Sequence, residues 1–223
     1  MTHRIPGAGA SETGTTSRIV TANHQAVRTA DEALERLKEG NARFVAGRAR
    51  FPTVQIEVLA ELAKGQQPYA TILGCSDSRV PPELLFDAGF GELFVIRVAG
   101  NVLGPSIAGT LQYAGTQLHT PLFVFLGHEG CGAVEAAIAA RFHGARHRSR
   151  IALLLENIDP ALHDLDRTLP PAALLSAAVE ANVRWTIRQL LESPEGKARA
   201  VQGDVRLVGA VYDLATGCVR FLE

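Results

Sequence analysis

The chain has 223 residues, 47% of them hydrophobic and 20% charged, which suits one soluble globular domain with a sizeable core. The formal net charge is -1, so no overall field favours a nucleic-acid partner or an anionic membrane. Three cysteines are too few, and odd in number, for a disulfide framework, and they favour a reducing, cytoplasmic location in which thiols are free to bind metal.

The beginning of the chain differs in composition from the rest. Residues 1–27 are rich in Gly, Ser and Thr and lack the apolar stretch of a secretory signal. We expect them to form an N-terminal tail, or an arm that docks on a partner subunit, and we expect a single domain over residues 28–223. No apolar run approaches the roughly 20 residues that span a bilayer, so no membrane partner is expected.

Helical patterns come first in this domain. Thr29 and Glu32 have the spacing of a capping box, which predicts a helix that begins there and ends near Gly47. A second, short helix is predicted over residues 56–64.

Strand and helix patterns then alternate. Four segments are predicted as strands, the first three being nearly continuous apolar runs typical of strands buried on both faces: 69–74, 92–98, 121–127 and 205–214. Helical patterns lie between and after them, near 106–118, 131–142, 152–158 and 172–192. Thr216 and Gly217, followed by CVRFL, predict a closing hairpin. The predicted fold class is therefore α/β, a single domain with a mainly parallel four-stranded sheet, an antiparallel edge strand and flanking helices.

Two of the predicted strands run directly into residues that can bind metal. Cys75 follows the first strand, and His128 and Cys131 follow the third. Both sets lie at the carboxyl ends of parallel strands, where open α/β sheets bind ligands, and they converge if the two strands are neighbours. Two thiolates and one imidazole suit zinc, and three protein ligands leave a fourth tetrahedral position open, as in catalytic zinc sites.

Each of these residues also has an ordinary structural explanation. A lone buried Cys is usually a small hydrophobic residue, and a lone His is more often a hydrogen-bonded structural residue. The combination at two strand ends is what favours metal. Cys218 has no such company and is expected to be a packing residue, and the basic segment 141–150 is expected to be a solvated loop.

Asp77 and Arg79 add a second pair of polar residues shortly after Cys75. A carboxylate at this spacing can reach the open coordination position, and an arginine can hold it ionised and oriented with two parallel hydrogen bonds. A structural ion pair is the alternative interpretation. Beside an open metal position, a catalytic role is favoured.

Two motifs carry a resemblance to a known family. CSDSRVPPELLFDAGFGELFVIRVAGNV (75–102) and GHEGCGAV (127–134) resemble the two signatures of the β-class carbonic anhydrases, in the same order and at a similar separation. The resemblance extends from about residue 40 to residue 134, and more weakly to the C-terminal strand. It implies reversible hydration of CO2 to bicarbonate and a proton by zinc-bound hydroxide, with one zinc ion per subunit and a homodimer or an assembly of dimers.

The resemblance also implies roles for individual residues. The family's zinc ligands match Cys75, His128 and Cys131, and its catalytic pair matches Asp77 and Arg79. Its substrate-binding positions match Gln66, Phe94, Tyr113 and Gly132, and the two aromatic residues among them are expected across a dimer interface.

Two further positions bear on the subtype and on the fit to the family. The subtype with a bicarbonate inhibitory site carries Trp three residues before the first ligand, whereas this chain has Ile72, which implies the other subtype. Glu129 stands where many members have a small residue, and it is expected to be exposed.

Two other functions stay open. A hydrolase of COS or CS2 on the same scaffold would differ in the shape of its pocket, for which the sequence gives no cue. A non-catalytic zinc or thiol sensor would need the cysteines but has no use for Asp77 and Arg79. A nucleotide-binding fold is disfavoured, since the turn after the first strand has no glycine-rich phosphate loop.

Overall fold

The computed structural model describes residue 27 and residues 29–50, 59–60, 62–194 and 205–222. The predicted N-terminal tail lies outside the described residues apart from its last residue, and so do four of the nine residues of the predicted helix at 56–64. Within that predicted helix, residues 59, 60 and 62 are helical and residues 63–64 form a turn. The boundary between a tail and a domain at residues 27 and 28 therefore stays a prediction.

A five-stranded sheet forms the centre of the fold. Its strands are β1 (Ala70–Gly74), β2 (Leu93–Arg97), β3 (Leu122–His128), β4 (Arg206–Tyr212) and β5 (Val219–Phe221). Their order across the sheet is β2-β1-β3-β4-β5. The first four strands run parallel, and β5 pairs antiparallel with β4 at the edge. The predicted fold class is confirmed, with the antiparallel edge strand counted as the fifth.

Six helices surround the sheet in the described part of the chain. They are α1 (Ala30–Val45), α2 (Pro82–Leu85), α3 (Pro105–Thr116), α4 (Gly132–His143), α5 (Ser149–Glu156) and α6 (Pro171–Glu192). The predicted capping box between Thr29 and Glu32 is confirmed at the start of α1. The sequence did not predict α2 or the 3-10 turns at Ala99–Asn101 and Asp159–Leu162, because such short elements show no periodic pattern.

The longest helix, α6, has 22 residues. Within the ranges that the structure describes, no helix combines the length and the apolar character needed to cross a membrane.

The sheet separates two hydrophobic cores. Neighbouring residues of a strand point to opposite faces, so Leu73 belongs to the core under α3, α4 and α6, while Ile72 belongs to the core under α1. β1 and β3 are buried at every position because both of their faces are covered. The carboxyl ends of these two strands are therefore held rigidly between the helical layers.

Candidate metal centre and active site

Cys75, His128 and Cys131 lie together at the carboxyl edge of the sheet. Cys75 follows the last residue of β1, and His128 is the last residue of β3. The two strands are parallel neighbours with Gly74 opposite Leu126, so they end side by side. Cys131 is the N-terminal cap of α4, as the sequence predicted. The sequence predicted that Cys75, His128 and Cys131 converge if the first and third strands are neighbours, and the structure brings the three residues together.

A tight turn between His128 and Cys131 brings the second sulfur towards the first. Gly130 has a φ of +63°, a left-handed conformation that residues with a Cβ rarely adopt. The Glu129 N–H donates to the Tyr212 carbonyl at 2.9 Å and ties the turn to β4. Glycine thus permits the reversal of the chain, and the neighbouring strand anchors it.

The three side chains form a compact donor set. Their ligand atoms, two sulfurs and one imidazole nitrogen, lie within 4.8 Å of one another. Both cysteines are buried free thiols. Two sulfurs and one imidazole suit a borderline-soft cation such as zinc. Zinc usually takes four ligands, so three protein ligands would leave one position for solvent or substrate. This group could therefore hold a metal ion.

The His128 ring is oriented as a metal ligand would be. Its Nδ1 lies 3.0 Å from the Glu129 carbonyl, so the tautomer with a proton on Nδ1 donates there. Its Nε2 is buried and has no hydrogen-bond partner of acceptable geometry among the described residues. Burial opposes protonation of the ring, but the neighbouring Cys75 sulfur outweighs it and raises the pKa of His128. An unpartnered nitrogen beside two sulfurs fits a cation better than a packing role, because a buried polar atom without a partner is costly.

The two sulfurs compete for one proton. The contact with the Cys131 side chain lowers the pKa of Cys75, even though burial opposes the shift. The same contact, together with burial, raises the pKa of Cys131. Backbone amides of Ala133 and Val134, at the N-terminus of α4, act in the opposite direction and favour a Cys131 thiolate. A divalent cation would end the competition, because it stabilises both thiolates at once.

Asp77 and Arg79 form a tight pair beside this group. Asp77 Oδ1 accepts hydrogen bonds from the Arg79 backbone N–H at 3.0 Å and from its Nε at 2.9 Å, and Oδ2 accepts one from the guanidinium at 2.7 Å. The Arg79 guanidinium thereby holds the pKa of Asp77 well below its usual range. Oδ2 also lies 3.9 Å from His128 Nε2. An ionised carboxylate therefore borders the metal-binding group while Arg79 fixes its orientation.

Arg97 supports the same loop and was missed at the sequence level. Its Nε donates to the Cys75 carbonyl at 3.0 Å, and a second guanidinium nitrogen donates to the Asp77 carbonyl at 2.5 Å. Arg97 ends β2, which is otherwise apolar, and a single charge in such a strand is the signal that could have identified it. It holds the backbone that carries both Cys75 and Asp77.

The four residues matched to substrate binding are more scattered. Gln66 is exposed in the loop before β1, and Gly132 is the first residue of α4. The rings of Phe94, on β2, and Tyr113, on α3, pack together with centroids 6.2 Å apart. Phe94 lies opposite Thr71, four residues before Cys75, so this aromatic pair is about 13 Å along the strand from the metal-binding group.

Two expectations about individual side chains were wrong. Glu129 is not exposed but partly buried, because its carboxylate accepts a hydrogen bond from Ser176 on α6 at 2.9 Å. Cys218 is not a buried packing residue but an exposed thiol after the β4–β5 turn. Both positions depend on how distant segments pack, which a local pattern does not report.

Known proteins resemble this chain over most of its length. A family model described as carbonic anhydrase matches residues 70–219. Carbonic anhydrase 2 of Mycobacterium tuberculosis is 39% identical over 186 residues, which make up 83% of this chain and 89% of that protein.

Solved structures resemble it as well. The β-carbonic anhydrase CafA of Aspergillus fumigatus has a TM-score of 0.68 at 26% identity, and the match covers 86% of this chain and 90% of that one. The chain also resembles the structure of a β-carbonic anhydrase from Sordaria macrospora, one of two from that fungus that are described as tetrameric. The TM-score is 0.69 at 22% identity, and the match covers 82% of this chain and 93% of that one. At that identity the second likeness shows the fold alone.

Proposed function

Because the chain belongs to the β-class carbonic anhydrase family, and is therefore an enzyme of reversible CO2 hydration, we propose that its metal is one zinc ion held by Cys75, His128 and Cys131. The observation that carries this proposal is the convergence of three buried donor atoms within 4.8 Å, one of them an imidazole nitrogen without a partner among the described residues. Zinc, when bound, lowers the pKa of water and supplies a hydroxide nucleophile near neutral pH.

Asp77 is proposed to orient the reacting water by accepting its proton in a hydrogen bond. The carboxylate suits this task because its Oδ2 borders the donor set at 3.9 Å from His128 Nε2. Arg79 keeps the carboxylate ionised, since its hydrogen bonds hold the pKa of Asp77 below the usual range. An ionised carboxylate can only accept hydrogen bonds, so its preferred partner is an O–H group of the water.

The pairing of Asp77 with Arg79 also supports the subtype without a bicarbonate inhibitory site. In that subtype water is on the zinc in the active form, and here both oxygens of Asp77 accept hydrogen bonds from Arg79. Ile72, buried in β1, stands where the other subtype carries Trp. Together these features favour an open fourth coordination position.

Gly132 is proposed to bind an oxygen of substrate or bicarbonate through its backbone N–H. It is the first residue of α4, so its N–H is among those left free by the helix. A Cβ added at Gly132 would meet no atom of the described residues within 4 Å, so their packing does not call for glycine there. Close approach of a ligand to the backbone supplies a reason.

Gln66 is proposed to help bind substrate or bicarbonate, and Phe94 and Tyr113 are proposed to act across a subunit boundary. Phe94 lies about 13 Å along the sheet from the metal-binding group of its own chain. Its ring packs on that of Tyr113, which is 48% exposed. A homodimer, or an assembly of dimers, would place these side chains at the neighbour's site. The Sordaria macrospora relatives are described as tetrameric. A cytoplasmic location is proposed from cysteine usage alone.

Neither alternative function is favoured. The curated relative with 39% identity is named a carbonic anhydrase, not a hydrolase of COS or CS2. The Asp77–Arg79 pair has no use in a thiol sensor, and it is intact.

The test is zinc content together with stopped-flow CO2 hydration, measured on the native protein and on two serine variants. Cys75→Ser should lose zinc and activity, because an alcohol is a poor ligand for this ion. Cys218→Ser is the matched control, since that thiol is exposed and lies outside the donor set, and it should keep both. A native protein that remains free of zinc after growth with added metal would contradict the proposal.

A further inference from the structure

A strained turn lies directly against the Cys75 sulfur. The turn is the 3-10 segment Ala99–Asn101, which follows β2. Its Gly100 N–H donates a hydrogen bond to Cys75 Sγ at 3.4 Å. Gly100 and Asn101 have φ values of +67° and +43°, so two consecutive residues are left-handed. Such a conformation persists only where the surroundings hold it in place.

The long helix α6 holds this turn by its carbonyls. Asn182 Nδ2 donates to the Gly100 carbonyl at 2.8 Å. Thr186 lies one helical turn further along, where its hydroxyl donates to the Asn182 carbonyl at 2.9 Å and lies 3.4 Å from the Asn101 carbonyl. Asn182 and Thr186 are each 1% exposed. The buried Asn182 amide thus holds the carbonyl of the same residue whose N–H donates to the sulfur.

The packing around Gly100 leaves little freedom for an alternative turn. A Cβ at Gly100 would lie 2.8 Å from Ile158 Cδ1 and 3.2 Å from Ala133 Cβ. The turn is therefore enclosed between α6, α4 and the segment that holds Ile158. Within this space, the hydrogen bond from Asn182 fixes the position of the Gly100 peptide group.

Asn182 carries a cost that a purely packing role does not explain. Its Oδ1 is buried and has no hydrogen-bond partner among the residues that the structure describes. A leucine, which has the same number of side-chain heavy atoms, would occupy this place without an orphaned oxygen. The amide N–H that reaches Gly100 is the group that only the asparagine supplies.

We infer that Asn182 is a positioning residue for the metal centre: it fixes Gly100 so that the Gly100 N–H donates to the Cys75 thiolate. This inference rests on the proposed zinc site. The hydrogen bond from Gly100 fixes the direction in which the Cys75 sulfur would meet the metal, so its loss should weaken zinc binding. The bond also draws charge from the sulfur, so its loss should shift a thiolate-to-metal charge-transfer band.

The inference is tested by comparing Asn182→Leu with a matched packing variant, Val183→Ala. Val183 is the adjacent, fully buried residue of α6, and it packs over Gly127 and Gly209 of the sheet. Its side chain has no polar atom, so it cannot form a hydrogen bond to the turn's carbonyls. Two readouts apart from activity are used, namely competition for zinc by a chelator and the thiolate-to-metal charge-transfer band of the cobalt-substituted protein. The zinc affinity of Asn182→Leu should be lower than that of the native protein by about 10-fold or more. The charge-transfer band of its cobalt form should shift in wavelength. Val183→Ala should lower the melting temperature and leave both readouts unchanged.

Equal zinc affinity and an unshifted band in a folded Asn182→Leu would overturn the inference, as would equal changes in Val183→Ala. A native protein that binds no zinc would instead contradict the proposed function, so the two failures are distinguishable.

A second measurement covers the case in which Asn182→Leu does not fold. In 15N-labelled native protein loaded with 113Cd, the Gly100 amide proton should show a coupling to the metal through the hydrogen bond to Cys75. In Asn182→Ala, which only removes atoms, that coupling should fall or vanish. A native protein without the coupling, or an Asn182→Ala variant that retains it in full, would also overturn the inference.

Discussion

Asn41 is the polar residue on which the packing of α1 depends. It lies on α1 and is 7% exposed. Its Nδ2 donates to the Leu85 carbonyl at 3.1 Å and to the Gly217 carbonyl at 2.9 Å, while its Oδ1 accepts from the Val219 N–H at 2.9 Å. One side chain thus joins α1 to α2 and to the turn between β4 and β5.

The effect of Asn41→Ala follows from the three backbone groups that it would leave without partners. The Leu85 carbonyl is buried and the other two groups are partly buried, so water would compensate them in part. A buried polar group without a partner costs about 1–3 kcal/mol, which gives about 3–5 kcal/mol for the three groups after that compensation. For a domain of this size, each kcal/mol lowers the melting temperature by about 2–4 °C, so we expect a loss of roughly 10 °C.

Thermal unfolding followed by circular dichroism measures this loss. Lys38→Ala, on the same helix, is the control, because its exposed ion pair with Glu35 contributes only about 0.5 kcal/mol or less. A melting temperature within 3 °C of the native value would correspond to about 1 kcal/mol or less. If Asn41→Ala melted within that range, the account of Asn41 as the tie between these elements would be wrong.

Three further predictions concern the site, the subunit boundary and pH. Asp77→Asn should keep zinc, because it removes no proposed ligand, but CO2 hydration should fall by about 100-fold or more, since the oriented acceptor is lost; a near-native stopped-flow rate would exclude that role. Tyr113→Arg should yield monomers by light scattering that retain zinc and lose activity, whereas an active monomer would refute a site shared between subunits. Glu180 accepts hydrogen bonds from Arg184, which has the larger effect, and from Arg220, and both lower the pKa of Glu180 below the ordinary 4.5. A depressed carboxyl pKa contributes stability that is present above pH 4.5 and is lost as the pH falls through the lowered value. Glu180→Gln should therefore be less stable than the native protein at pH 7, by less than about 1 kcal/mol, and should melt at a slightly lower temperature. The difference in melting temperature should close towards pH 3. A gap that did not change with pH would contradict this assignment.

The sequence alone located most of the elements because their signals are local. β1 and β3 are continuous apolar runs, as strands covered on both faces must be, and α1 begins at a capping box that its own residues form. Cys75 and His128 could be placed at the carboxyl edge because each follows or ends such a strand. The spacing of Asp77 and Arg79 after Cys75 favoured a catalytic role, and the family resemblance of the two motifs implied the same role.

Only the tertiary structure decided which elements are neighbours. That β1 lies beside β3 is what turns two separate motifs into one donor set, and the strand order depends on packing over the whole sheet. The hydrogen bond from Asn182 to Gly100 joins residues 82 positions apart, and neither residue shows its partner in the local pattern. Arg97 and Ser176 act on the site in the same way, through backbone and side-chain groups that only the packed fold brings near. Local propensity and periodicity report the element to which a residue belongs, whereas long-range contacts arise when those elements bury their apolar faces against one another.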